Sequence, residues 1–168
     1  TVWKSGRRYR AIARAIDKAP TNANIEDIFE VSRNDNRFAI DYQPPQSFFE
    51  KPQDGASYNA SNNKLSQIYG TCIDDASGVD VSSITIYDID ATQYWNGTGW
   101  QAGQVWLTCG LSANGTAWWY SDVPGGGANW PSGHEFRITL KAMDKTGNVE
   151  TAHYVQFTVD TNPPDTGV

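Results

Sequence analysis

Oxygen-bearing side chains are concentrated in two short polar segments of this sequence. Asp74, Asp75 and Asp80 lie close together in the first segment, and Asn148 and Glu150 lie in the second. Carboxylate and amide oxygens are the hard ligands that Ca²⁺ takes in proteins. Asp and Asn are also common turn formers, whose side chains accept hydrogen bonds from nearby backbone amides. The turn interpretation is favoured because neither segment has EF-hand-like spacing, and Ca²⁺ is the one candidate cofactor.

Aromatic side chains form a second group that could do chemistry, since the chain has seven Trp and eight Tyr. Rings that lie flat on a surface can stack on sugar rings. Trp95 and Trp100 flank an Asn-Gly turn, while Tyr94 and Trp119 could line a neighbouring face. These four residues are the candidate glycan-binding set. The alternative is packing in a thin core, where Trp and Tyr bury large areas, and this interpretation is favoured.

The sequence offers no arrangement typical of catalysis. His134 and His153 are expected on outward-facing strand positions, without partners. The glycines at 125–127 do not precede a helix, as a phosphate-binding loop requires. We therefore expect no catalytic residues and no enzymatic activity.

Composition narrows the class of protein. The 168 residues carry 19 Asp and Glu against 13 Lys and Arg, for a formal net charge of −6. Nucleic-acid binding needs clustered positive charge, so it is not expected. Because no apolar run approaches the length of a membrane span, no insertion of this segment is expected either. Few Lys, many aromatics and two Cys are typical of a secreted or cell-surface β-protein.

Alternation of apolar and polar residues is the main structural signal, and it predicts half-buried antiparallel strands. It is clearest in the stretches 83–87, 136–142 and 154–159. The expected all-β fold is a two-sheet sandwich of about seven strands. The predicted strands lie within 47–60 and near 64–73, 81–90, 103–110, 116–123, 134–144 and 153–160.

An internal repeat sets the predicted domain organisation. The Trp3-x-Ser-Gly motif returns as Trp130-x-Ser-Gly, 127 positions later, and Phe38 returns as Phe157, 119 positions later. Such an echo is typical of tandem modules. We expect residues 1–45 to be the last two strands and linker of a preceding module, with its Pro pair at 44–45. Residues 46–164 would be a complete module ending in a second Pro pair at 163–164, and 165–168 would begin the next linker.

Together, six segments resemble the bacterial immunoglobulin-like repeats of very long secreted or surface-anchored, adhesin-like proteins. They are 70–79, 94–100, 105–108, 118–120, 141–150 and 157–164. The resemblance implies an immunoglobulin-like or fibronectin III-like antiparallel β-sandwich, preceded by a β-hairpin from a partial second module. It also implies a spacer or adhesive role without catalytic residues. The irregular stretch 48–52 and a longer segment after Lys18 depart from the repeat pattern.

Such a sandwich would bring the two acidic loops to the pole that receives the linker with Asp41. A calcium ion held there by Asp41, Asp74, Asp75, Asp80, Asn148 and Glu150 would stiffen the junction between modules. In repeats of this kind the positions of Cys72 and Cys109 are commonly small residues, so their joint presence favours a disulfide. Two buried free thiols and a metal site remain as alternatives.

The expected function is therefore a structural spacer or adhesion stalk of a large extracellular protein, whose partners are neighbouring modules or subunits. One alternative is a carbohydrate-binding accessory module of a secreted polysaccharide-active enzyme, with glycans as partners. A third is a filament subunit, in which the N-terminal hairpin adds to a neighbouring subunit by strand donation.

Overall fold

The computed structural model describes residues 3–19 and 21–162. The chain divides into two compact units, the first of Thr1–Gln43 with Asp75–Ser77 and the second of Pro44–Asp74 with Gly78–Val168. The Pro pair at 163–164 and the predicted linker at 165–168 lie outside the described residues. Among the described residues, no helix is long and apolar enough to cross a membrane.

The described residues form thirteen strands, and the prediction of an all-β chain is confirmed. The first unit contains β1 (Arg7–Ile12) and β2 (Asp35–Ile40). The second contains β3 (Gln46–Lys51), β4 (Ala56–Tyr58), β5 (Ile68–Ile73), β6 (Val79–Asp88), β7 (Gln93–Trp95), β8 (Trp100–Gln101), β9 (Leu107–Thr108), β10 (Gly110–Leu111), β11 (Ala117–Tyr120), β12 (His134–Asp144) and β13 (His153–Val159).

Two sheets build the second unit. One has the strand order β10-β11-β5-β3, and the other has the order β4-β13-β12-β6-β7-β8 with β9 beside β6. β4 pairs with β13 in parallel, and the other strand pairs of the described residues are antiparallel. The chain therefore crosses from one sheet to the other between β3 and β4. These features agree with the predicted β-sandwich.

Alternation explains how these strands bury one face. In β12, Phe136, Ile138 and Leu140 are fully buried, while the residues between them are partly exposed. Both sheets contribute to a single core, in which the Trp118 ring packs edge-on against Phe49. Burial of such side chains is the main favourable term in folding, at about 25 cal/mol per Å² of apolar surface.

One glycine in β5 is required by the close approach of β3. A Cβ atom on Gly70 would lie 1.9 Å from the backbone oxygen of Phe48 and 3.0 Å from the Trp118 ring. No side chain fits at that distance. The absence of a side chain at Gly70 lets the ring of Trp118, its partner on β11, lie against β5 and donate its indole N–H to the Thr71 carbonyl at 3.2 Å.

The first unit is an antiparallel hairpin of β1 and β2. Its Arg10 guanidinium donates two hydrogen bonds to the buried Asp35 carboxylate, at 2.7 and 2.8 Å. The side-chain hydrogen bond with Arg10 lowers the pKa of Asp35, with a smaller opposing effect of burial. This pair joins the end of β1 to the start of β2, on either side of the long connection between them.

The hairpin of the first unit has the same strand register as β12 and β13 of the second. Tyr9 pairs with Phe38, and Phe136 pairs with Phe157. The offsets of 127 and 119 found in the sequence convert the first pair into the second. They also convert the other five pairs of the β1–β2 hairpin into pairs of β12 and β13. The echo in the sequence is therefore matched by a shared backbone pairing.

Each hairpin also carries three aromatic rings in a similar arrangement. The first-unit triad is Trp3, Tyr9 and Phe38, and the second-unit triad is Trp130, Phe136 and Phe157. In the first unit the Trp3 ring packs edge-on against Tyr9, with ring centroids 4.6 Å apart. In the second, Trp130 packs edge-on against Phe136 at 4.9 Å. The two remaining rings of each triad stack at an interplanar angle of 26°. Their surroundings differ, because Trp3 is 51% exposed and Trp130 is 4% exposed.

Candidate functional site

An open cavity of about 990 Å³ lies on the surface of the second unit. One wall comes from the turn between β7 and β8, and the other comes from the segment 121–129 that follows β11. Its size is in the range of small-molecule sites in proteins, about 300–1,000 Å³. Trp95 and Trp100, both in the candidate glycan-binding set, line it.

Trp95 fixes the two walls of the cavity to each other. It is 8% exposed, and its indole N–H donates to the Asp122 carbonyl at 2.7 Å. Trp100 lies edge-on to Trp95, with centroids 5.4 Å apart, and packs on Phe136 at 5.9 Å. Trp100 is half-buried, so its indole both closes the core and borders the cavity.

The turn that forms the first wall is held by the Asn96 side chain. Its Oδ1 accepts hydrogen bonds from the backbone N–H groups of Thr98 at 3.0 Å and Gly99 at 2.8 Å. Gly97 has φ 100° and therefore requires a glycine, whereas Gly99 has ordinary backbone geometry. A Cβ atom on Gly99 would meet nothing within 4 Å. This rim thus presents bare backbone beside the cavity.

The second wall is closed by backbone hydrogen bonds. Gly126 donates to the Val123 carbonyl at 3.0 Å, and Asn129 donates to the Pro124 carbonyl at 3.2 Å. Asp122 is the charged residue of the cavity lining, which contains neither Lys nor Arg. The cavity therefore combines indole surface, amide and hydroxyl groups, and one carboxylate.

The structure does not bring the four candidate glycan-binding residues onto one surface. Tyr94 lies on the other face of β7 and packs against Tyr87 with centroids 4.6 Å apart. Trp119 lies on β11 of the other sheet and is 38% exposed. Trp95 and Trp100 are inclined at 62° and are not coplanar. The alternation pattern could not reveal this, because β7 and β8 are too short to show one.

Several candidate calcium ligands form turn hydrogen bonds. The Asp74 carboxylate accepts the Gly78 N–H at 2.6 Å, and Asn148 donates through its backbone and side chain to Asp144 at 2.9 and 2.8 Å. Glu150 accepts hydrogen bonds from the backbone N–H, at 2.9 Å, and the hydroxyl of Ser47 on β3. The bonds of Asp74 and Asn148 are local and agree with the turn interpretation, whereas those of Glu150 connect it to β3.

The remaining candidate ligands are distributed over the two units. Asp41 belongs to the first unit, where it accepts hydrogen bonds from Gln43 and Ser5 at 3.1 and 3.3 Å. Asp75 is also assigned to the first unit, and Asp80 lies exposed on β6 of the second. A calcium site formed by the whole set stays a prediction.

Both histidines differ from their expected positions. His134 shares the parity of the buried residues of β12, and its Nδ1 lies 2.8 Å from Oδ2 of the buried Asp88. His153 packs edge-on against Phe49, with centroids 5.6 Å apart. The prediction that both histidines face outward was wrong, because the alternation of β12 and β13 continues through His134 and His153 and places both on the inward side.

Asp90 lies near the His134–Asp88 pair and accepts the Glu135 N–H at 2.7 Å. These contacts join the end of β6 to the start of β12.

The cysteines are two buried free thiols, which was the second alternative for this pair. The predicted disulfide between Cys72 and Cys109 is not formed. The Cys72 thiol instead donates to the Gly115 carbonyl at 3.1 Å. Burial raises the pKa of Cys72, partly offset by a hydrogen bond with Ser82, and raises the pKa of Cys109 to about 12. Both side chains therefore act as small core residues, and neither is activated as a nucleophile.

A scan against protein-family models and a search of curated proteins found no match to this chain.

Proposed function

We propose that this chain belongs to an array of immunoglobulin-like modules that acts as a non-catalytic spacer or adhesion stalk outside the cell. The observation that carries the proposal is the repeated hairpin. The same register and the same aromatic triad occur in both units, at the offsets read from the sequence. Tandem modules account for this combination, since each copy would contain its own hairpin in its own core.

The strand order of the second unit supports the immunoglobulin-like assignment. If β3, β5, β10 and β11 are strands A, B, D and E, the first sheet has the neighbours A-B-E-D. Strands β6, β12 and β13 then correspond to C, F and G, in the order C-F-G. Constant-type immunoglobulin domains divide their strands between two sheets in this way. The additional strands β7 and β8 extend the second sheet beyond C.

The exposed rings of the first unit support membership in a second module of the same kind. Trp130 is covered in the second unit and donates its indole N–H to the Leu65 carbonyl at 3.1 Å. The described residues of the first unit supply no sheet to cover Trp3 or Phe38, which are 51% and 37% exposed. An apolar surface of this kind marks a contact that is completed by other residues. In the proposed array, strands A to E of that module precede the hairpin in a longer polypeptide.

The proposed role is mechanical. Sandwiches joined through short segments with Pro pairs, such as 44–45, hold a more distal module away from its anchor, because proline stiffens the chain. The location outside the cell is inferred from the composition, which has few Lys, many aromatic residues and two Cys. Neighbouring modules are the proposed partners.

An extended chain tests the proposal. A second copy of residues 46–129 is placed directly before Trp3, so that it stands where the same residues stand before Trp130. We expect Trp3 to become protected from acrylamide quenching, and Trp3→Ala to become destabilising by about 3–5 kcal/mol, the range for truncating a buried aromatic residue.

The matched control carries Ile68→Glu in the added copy only, because that change puts a charge at a fully buried position. Trp3 should remain quenchable in the control. The proposal fails if Trp3 stays equally exposed in the extended chain and Trp3→Ala leaves its stability unchanged, because the hairpin is then not the last two strands of such a module.

A further inference from the structure

The cavity between the β7–β8 turn and the segment 121–129 has the features of a binding site that the spacer function does not use. Its lining combines indole surface of the half-buried Trp100, which is backed by the buried Trp95, with polar groups from Thr98, Asp122 and Asn129. A spacer needs only a core and two junctions. We propose that this cavity binds a neutral oligosaccharide of hexopyranose units. The inference does not depend on the proposed array, because every lining residue lies in the second unit.

The chemistry of the lining selects this class of ligand. A pyranose ring has an apolar face of C–H groups and a rim of hydroxyl groups. Indole surface suits the first, and carboxylate, amide and hydroxyl side chains suit the second. An anionic ligand is disfavoured, since the lining has Asp122 and no cationic side chain. A fully apolar ligand would take the exposed Asp122 and Asn129 side chains out of water without offering them a hydrogen bond.

The walls are held in place before any ligand binds. The indole N–H of Trp95 donates to the Asp122 carbonyl, and Trp100 packs against Phe136 in the core. Hydrogen bonds from Thr98 and Gly99 to the Asn96 side chain fix the opposite rim. Such preorganisation reduces the entropy that binding must overcome. Glycines along both rims also let a ligand approach the backbone closely.

The first test fills the cavity without removing any of its groups. A side chain at Gly99 enters open space, and the residue has no positive φ, so Gly99→Val should fold normally. Gly103→Val is the matched control, because Gly103 is exposed, lies outside the lining, and its Cβ would meet only the end of the Gln101 side chain at 3.7 Å. Urea denaturation of both variants establishes that the fold is retained.

Binding is measured by isothermal titration calorimetry with cellohexaose, mannohexaose and maltohexaose. We expect the full chain to bind at least one of these, Gly99→Val to weaken that binding by about tenfold or more, and Gly103→Val to leave it unchanged. Asp122→Ala, which removes an acceptor and leaves the rim intact, should weaken it as well.

Three results would overturn the proposal: no binding of any of the three hexaoses by the full chain, equal binding by Gly99→Val, or loss of binding in Trp119→Ala. The last would place the sugar on the exposed face of β11, in the other sheet. None of these results would affect the extended-chain experiment, which measures the protection of Trp3.

Discussion

The two triads predict responses of very different size to the same substitution. Trp130→Ala removes a 4% exposed indole and its hydrogen bond to the Leu65 carbonyl. Truncation of a buried Phe or Trp costs about 3–5 kcal/mol, and a buried carbonyl left without its donor adds to that cost. We therefore expect a loss of about 4 kcal/mol or more. Natural domains have only about 5–15 kcal/mol of stability, so the variant should be close to unfolding at moderate temperature.

Trp3→Ala removes the equivalent ring from the first unit, where it is 51% exposed. Replacement of a residue at the surface usually changes stability by no more than about 0.5 kcal/mol. The second unit should therefore keep its unfolding midpoint. The same residue type, in the same hairpin register, should differ in effect by several kcal/mol according to whether a second sheet covers it.

Urea denaturation followed by far-UV circular dichroism measures the difference without relying on the fluorescence of the deleted Trp. With a slope of about 2 kcal/mol per M, Trp130→Ala should lower the midpoint by about 2 M, and Trp3→Ala should leave it unchanged. Equal shifts for the two variants would refute the reasoning, because they would mean that the rings of the first unit contribute to the core as much as those of the second.

The cysteines and Asp144 give two further predictions. Burial keeps the pKa of Cys109 near 12 and raises that of Cys72, so neither thiol should react with Ellman's reagent at pH 8 until the protein is unfolded in urea; a lack of thiols after unfolding would show that a disulfide had formed. Burial opposes ionisation of Asp144, but hydrogen bonds from Asn148 and Thr146 outweigh it and lower the pKa of the carboxyl. Its contribution to stability should be complete above the ordinary value of 3.8 and be lost as the pH falls through the lower value in the folded state. Asp144→Asn should therefore be less stable than the parent at pH 7, and the difference in urea midpoint should shrink toward pH 2; a difference that is independent of pH would contradict this assignment.

The strand pattern was predictable where strands are long and one face is buried. β12 shows clean alternation over eleven residues, and its limits agree with the expected 134–144. The repeat also carried information about strand pairing. The offset between Trp3 and Trp130 and the offset between Phe38 and Phe157 together relate the residue pairs of one hairpin to those of the other. Register is a long-range property that local propensity does not contain, but a repeated sequence with two offsets carries it.

The side-chain environment was less predictable where strands are short or end. β7 and β8 have three and two residues, so nothing in the local pattern distinguished the buried Trp95 from an exposed ring. A polar residue at a strand end is expected to face outward, and for His134 this prediction is wrong because the buried Asp88 supplies a partner on the inward side. The disulfide was inferred from a resemblance, and small buried thiols fill the same core positions.

The cavity and the repeated hairpin are separate parts of the second unit, and this has a consequence for an array. The matched motif begins at Trp130, after the cavity lining ends at Asn129. Trp100 joins the two parts, since it packs on Phe136 and comes within 6.5 Å of Trp130. A substitution at Gly99, where a Cβ atom meets nothing within 4 Å, can therefore change the cavity without disturbing the aromatic triad. In the proposed array, the triad would constrain every module that uses this hairpin. The exposed side chains at the cavity, such as Thr98 and Asp122, would be the positions that differ between modules and so determine the proposed binding.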